Sequence, residues 1–215
     1  MPNPVGKNGD EMVFYVNGIA TDLAKQMEDM ENIAAHGRQV VGVHNATAGL
    51  VRDLAQCVGD KLGTGDNPAV STVKSLIKTS LATGTKVTLV GHSQGALVCS
   101  RALWELQDEA ATCGPEEAWS DSISDVKLET AGGAAYTYPA GPSYHHIVNK
   151  YDIVPIIAGL GTCLPGIDPG TEQPLEVVSR VQAPYVKESD SVYEMAMGLL
   201  DRTVHGTEVY YNRDS

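Results

Sequence analysis

The stretch Val87-Thr88-Leu89-Val90-Gly91-His92-Ser93-Gln94-Gly95-Ala96-Leu97-Val98 decides the fold. Its opening β-branched, apolar run suits a strand buried on both faces. Gly91 to Gly95 form a G-x-S-x-G turn, after which Leu97, Val98, Ala102, Leu103 and Leu106 recur at helical spacing. With 22 glycines in 215 residues, roughly 0.1 matches to the bare pattern are expected by chance. Strand, turn and helix in succession are far more specific than the pattern alone. A serine on so sharp a turn projects its hydroxyl above the sheet edge, within reach of a base. A Cβ at Gly91 or Gly95 would clash there, because strand and helix backbones approach closely. The Gln94 N–H, which opens the helix, faces the point where a tetrahedral oxyanion would form. The bland alternative is a glycine-lined loop packed on the core.

Outward from this unit, strands and helices alternate. Met12-Val13-Phe14-Tyr15-Val16 reads as a strand that breaks at Asn17-Gly18. A helix follows with Leu23, Met27, Met30 and Ala34 on one face and Gly37 as its stop. Val40-Val41-Gly42-Val43 is a second strand, and 48–60 is a helix presenting Leu50, Leu54 and Val58. A Gly/Pro loop at 63–68 leads to a helix carrying Val73, Leu76, Ile77 and Leu81, closed by Gly84. Beyond the elbow helix, 112–125 reads as loop, 126–130 as strand and 144–149 as strand. Residues 156–189 read as a long irregular excursion, 190–203 as a helix and 207–211 as a terminal strand. This order predicts an α/β fold, a doubly wound, mostly parallel sheet with helices on both faces. Residues 1–11 read as a flexible tail and 12–215 as a single domain.

A serine hydroxyl is a poor nucleophile until a base takes its proton, and that base needs a carboxylate to fix its tautomer. On this kind of sheet the chain order is Ser, then Asp or Glu, then His. The acid belongs just past the end of a downstream strand. Asp152 fits, following Ile147-Val148-Asn149 and preceding Pro155, although an aspartate there can also cap a turn. Asp125 precedes its strand, and Asp168 has no strand before it. His205 is the one histidine beyond Asp152, which makes it the candidate base; a histidine at a helix end can also serve the dipole. His145 and His146, adjacent on a strand, face opposite sides. A second oxyanion donor belongs to the loop after an earlier strand, which singles out the N–H of Ile19. Asn17, Gly18, His92, Ile153 and Ile156 are the candidates for lining the substrate site, with the His92 ring packed under the elbow.

Composition excludes several classes. A net charge of −12 repels nucleic acid and disfavours electrostatic docking to anionic membranes. No apolar run approaches the roughly 20 residues of a membrane span, which leaves at most transient contact with a lipid surface. Residues 1–10 carry no signal-peptide core, pointing to the cytoplasm or to export by a signal-peptide-independent route. The cysteines lack any CxxC pairing, which argues against zinc. Cys57 and Cys99 fall on apolar helix faces, whereas Cys113 and Cys163 fall in expected loops and could pair.

Together these residues resemble the α/β-hydrolase superfamily, and within it the compact lipases and esterases. Gly91-His92-Ser93-Gln94-Gly95 resembles a lipase elbow, and Val16-Asn17-Gly18-Ile19 a variant of the His-Gly oxyanion loop, with Asn17 where many relatives carry His. Asn149-Lys150-Tyr151-Asp152-Ile153-Val154-Pro155 and His205-Gly206-Thr207-Glu208-Val209-Tyr210 resemble segments of class 3, fungal-type lipases. The expected fold is a compact version without the antiparallel lead-in strands of larger members. The expected activity is a serine carboxylic-ester hydrolase working through Ser93, His205 and Asp152, with no metal or organic cofactor. An acyl ester or phospholipid is the expected substrate, since Ile153, Val154, Ile156, Ile157, Leu160, Leu164 and Ile167 would wall an apolar groove or join the core. Alternatives are a thioesterase or acyltransferase using the same residues, an antibacterial phospholipase toxin with an inhibitory protein partner, or a non-catalytic binding module.

Overall fold

Alternate residues of strand β1 (Glu11–Val16) go to opposite layers, and this divides the molecule. Phe14 and Val16 join one core with Val73 and Ile77 of helix α2 (Pro68–Ala82) and Val98, Ala102 and Leu103 of helix α3 (Gln94–Cys113). Val13 and Tyr15 join a second core with Met30 and Ile33 of helix α1 (Leu23–Ala34). Full burial of each such aliphatic side chain contributes about 1.5–3 kcal/mol. The computed structural model describes residues 11–18, 21–35, 37–45, 67–113, 123–135, 137–149, 152, 154–155, 159–160, 175–178 and 205–211. The expected helices over 48–60 and 190–203 lie outside these.

The remaining strands are β2 (Val40–Val43), β3 (Lys86–His92), β4 (Val126–Ala131), β5 (Ser143–Asn149) and β6 (Leu175–Val178). They form a six-stranded sheet in the order β2-β1-β3-β4-β5-β6. Every pairing is parallel, with Val16 beside Val43 on one side and Gly91 on the other. The chain steps outward from β1 to β2, then back across β1 to β3. A single hand of crossover requires helices to change face when the direction reverses. They do: α1 covers one face, and α2 and α3 the other. The reversal opens a crevice between the carboxyl ends of β1 and β3, the usual ligand position in such sheets.

Local signals set the helix ends. Asp22 caps α1, its carboxylate accepting from Lys25 N at 2.8 Å, and Gly37 follows with φ +82°. Asn67 caps α2 through Ala69 N at 2.9 Å with Pro68 in the first turn. That helix therefore begins inside the span expected to be loop through residue 68.

Three expectations are corrected. Residues 207–211 form not a strand but helix α4 (Thr207–Tyr211). Thr207 bonds Asp29 of α1, Tyr211 packs on the α1-side core and Tyr210 reaches Asp152, so this short helix is held by tertiary contacts that override its strand-forming composition. The excursion 156–189 contains β6, which extends the sheet beside β5; its four residues were hidden among Gly and Pro. Helix α3 runs through Cys113, so that residue is helical rather than in a loop, while Cys163 lies outside the described residues. Cys99 is free and fully buried, as its apolar helix face implied. Among the described residues, no helix is long and apolar enough to cross a membrane.

Candidate active site

Ser93 has φ 54°, the only positive value among described non-glycine residues. An L-residue in the left-handed region costs about 1–2 kcal/mol, so the surroundings must hold it there. They do so through the main chain: Ser93 N donates to Ala131 O at 3.2 Å, and Ser93 O accepts from Ala96 N and Ala134 N at 3.1 and 2.9 Å. Close approach explains the flanking glycines. A Cβ on Gly95 would lie 2.0 Å from Val16 O, and one on Gly91 2.7 Å from the Ala96 Cα. Helix α3 can thus begin against the end of β1. Gly18, at the mouth of the crevice, lies directly over the serine: a Cβ there would meet Ser93 Cβ at 2.7 Å.

Asp152 and His205 are brought together. Asp152 follows β5 in a turn whose N–H donates to Asn149 O at 2.9 Å, and its side chain is fully buried. Oδ1 accepts from Val154 N at 2.9 Å; Oδ2 accepts from His205 Nδ1 and from the Tyr210 hydroxyl, each at 2.5 Å. A carboxylate only accepts, so Nδ1 carries the proton and Nε2 keeps its lone pair free for a base. Gly132, φ +55°, makes room: a Cβ there would lie 2.7 Å from Asp152 Oδ2 and 3.1 Å from His205 Nδ1. Gly132 is one residue past β4, and the Ala131 carbonyl beside it is the one that Ser93 N bonds. The acid–histidine pair and the elbow therefore meet at one point of the sheet edge.

Several residues hold the histidine, and sequence reasoning missed most of them. Burial first, then the Asp152 charge, push the Tyr210 phenol above its ordinary value, so it remains a donor. Thr207 Oγ1 donates to buried Asp29 of α1 at 2.5 Å, and Tyr15 OH donates to the other Asp29 oxygen at 2.7 Å. His92, expected to line the substrate site, places Nε2 2.6 Å from the His205 carbonyl, with ring centroids 4.7 Å apart. Bonding a carbonyl makes that nitrogen the donor. Asn17 is fully buried, with Nδ2 donating to Gly18 O at 2.9 Å and Asn45 O at 3.3 Å. Asn45 N returns a bond to Asn17 Oδ1 at 2.7 Å, and Asn45 Nδ2 donates to Gln94 Oε1 at 2.8 Å. Ile19, Ile153 and Ile156 lie outside the described residues. Of the apolar run after Asp152, Val154 is buried and Leu160 packs against the main core.

The histidines give the fold an acid-sensitive term. Burial, then His205, hold His92 at about 4 instead of 6.5. Burial, then His145, hold His146 at about 4 beside Tyr138 and Tyr144. Between these values the unfolded chain binds more protons than the folded one, so stability falls as pH drops from about 6.5 towards 4. Thermal unfolding should show Tm declining through that window, and His146→Phe should flatten the decline. A variant slope as steep as the wild type's would remove His146 from this explanation.

No family model matches the sequence, and no curated protein matches it. Solved structures with some likeness include an esterase from Pyrobaculum calidifontis, 13% identical over 81% of this chain and 68% of its own, TM-score 0.49. A carboxylesterase from Mesorhizobium loti is 15% identical over 80% and 81% of the two chains, TM-score 0.44. A metagenome-derived lipolytic enzyme is 10% identical over 83% and 87%, TM-score 0.47. Sheet order, crossovers and elbow themselves make this chain a compact α/β-hydrolase-like fold.

Proposed function

We propose that the protein is a serine carboxylic-ester hydrolase. Ser93 attacks the acyl carbonyl while His205 Nε2 takes its proton, and Asp152 fixes the imidazole and stabilises its cationic form. The N–H groups of Gln94 and Ile19 receive the oxyanion. Collapse of the tetrahedral intermediate expels the alcohol, protonated by His205, and leaves an acyl-Ser93 ester. His205 then activates water to release the acid and restore the serine. The observation that carries this reading is the strained Ser93 at the sheet's switch point beside the buried Asp152–His205 pair. A scaffold would gain nothing from holding a serine in left-handed backbone at that point.

An acyl-chain ester is the proposed substrate, a reading that rests on the sequence positions Ile153, Ile156, Ile157, Leu164 and Ile167 after Asp152, since Val154 and Leu160 belong to the core. Hydrolysis of p-nitrophenyl esters from acetyl to palmitoyl tests this. Turnover should rise as the acyl chain lengthens beyond acetyl. Turnover confined to the shortest esters would refute the acyl-chain specificity and leave an esterase or thioesterase. A folded protein inert to the whole series would refute ester hydrolysis.

A further inference from the structure

Three buried side-chain amides, Asn17, Asn45 and Gln94, tie together the exits of β1 and β2 and the first turn of α3. Asn17 commits both Nδ2 hydrogens to main-chain carbonyls, Gly18 O and Asn45 O, and its Oδ1 accepts Asn45 N. Asn45 in turn donates its side-chain amide to Gln94 Oε1. Burying amides is costly unless they are paired, and apolar residues would fill the same space without that requirement. Hydrogen bonds add direction, which apolar packing lacks. Here the directed groups are the two that flank Ser93. One is Gln94, the residue after it; the other is Gly18, where a Cβ would meet Ser93 Cβ at 2.7 Å. The carbonyl that Asn17 holds belongs to the peptide bond whose N–H the serine-hydrolase reading gives to the oxyanion.

We propose that Asn45 and Asn17 are positioning residues for the oxyanion site: Asn45 acts through the Gln94 side chain, Asn17 through the Gly18 carbonyl, and neither touches substrate. The proposal rests on the serine-hydrolase reading. Asn17 stands where a histidine is common in proteins the sequence resembles, and its amide is here spent on the β1–β2 tie. The tie holds donors whose misplacement by an ångström weakens transition-state binding while leaving ground-state binding intact.

The test is a double-mutant cycle on an ester substrate, with kcat expressed per active site titrated by a fluorophosphonate and folding followed by Tm. Asn45→Ala and Gln94→Ala each retain the Gln94 N–H. Each should lower kcat about 10-fold with KM within about twofold, and the double variant should fall no further than the worse single one. Independent, multiplying losses would overturn the proposal, and so would unchanged kcat in either single variant. Should Asn45→Ala fail to fold, Gln94→Leu keeps the bulk and the N–H while removing the bond. It must show the same loss in kcat, and wild-type kcat in that variant would overturn the proposal. A wild type that neither hydrolyses esters nor takes up the fluorophosphonate defeats the hydrolase reading itself, a result distinct from all of these.

Discussion

Ser93→Ala is expected to lower kcat by about 10⁴-fold or more while leaving the fold and KM nearly unchanged. Alanine keeps the Cβ, so the backbone strain at φ 54° and the main-chain bonds to Ala131, Ala96 and Ala134 stay as they are. Only the hydroxyl goes, and with it the acyl-enzyme route. Ser93→Gly separates strain from chemistry. Glycine adopts the left-handed region freely, so it relieves about 1 kcal/mol of strain against a comparable entropic cost in the unfolded chain. This variant should therefore be as inactive as Ser93→Ala with a Tm no lower than the wild type's. Residual activity of a tenth in either variant would place the nucleophile elsewhere.

Asp152→Asn should be almost as damaging, for a different reason. The Val154 N–H points at Oδ1, so the asparagine amide must turn its oxygen there and its NH₂ toward His205 and Tyr210. That NH₂ donates to His205 Nδ1. The imidazole proton then moves to Nε2, the nitrogen that must be free to accept the serine proton. Geometry survives with the wrong tautomer, and kcat should fall about 10⁴-fold. Tyr210 accommodates the change, because a hydroxyl can accept from the NH₂ as readily as it donates to a carboxylate. Kinetics with Tm measured alongside check this, and a variant within about tenfold of wild type would mean that another group orients His205.

The parts legible in the sequence are those that local pattern or chain order dictates. The 87–98 run carries its own strand, turn and helix signals, and its glycines are explained by distances of atomic contact. Asp152 and His205 are picked out as a candidate pair by chain order, since only one histidine follows an acid that ends a strand, and the structure brings the two side chains into hydrogen-bond contact. What stayed hidden depends on which chain ends the sheet brings together. Asn45 follows β2 with no motif around it, and its meaning comes only from β2 lying beside β1 with β3 on β1's far side. Tyr210 and Thr207 belong to five residues rich in strand formers, yet the segment is helical and its side chains are tied to Asp152 and Asp29, distant partners that no local pattern reveals. Strand β6 lacks a local signal strong enough to stand out from its Gly- and Pro-rich surroundings, and β5 supplies its pairing partner.

The most direct test of the central claim is covalent: treat the folded protein with a fluorophosphonate and map the modified peptide by mass spectrometry. The account predicts a single adduct on Ser93, formed quickly in the wild type and strongly slowed in Asp152→Asn. No adduct on a folded protein, or an adduct on another residue while Ser93 stays unmodified, would contradict it.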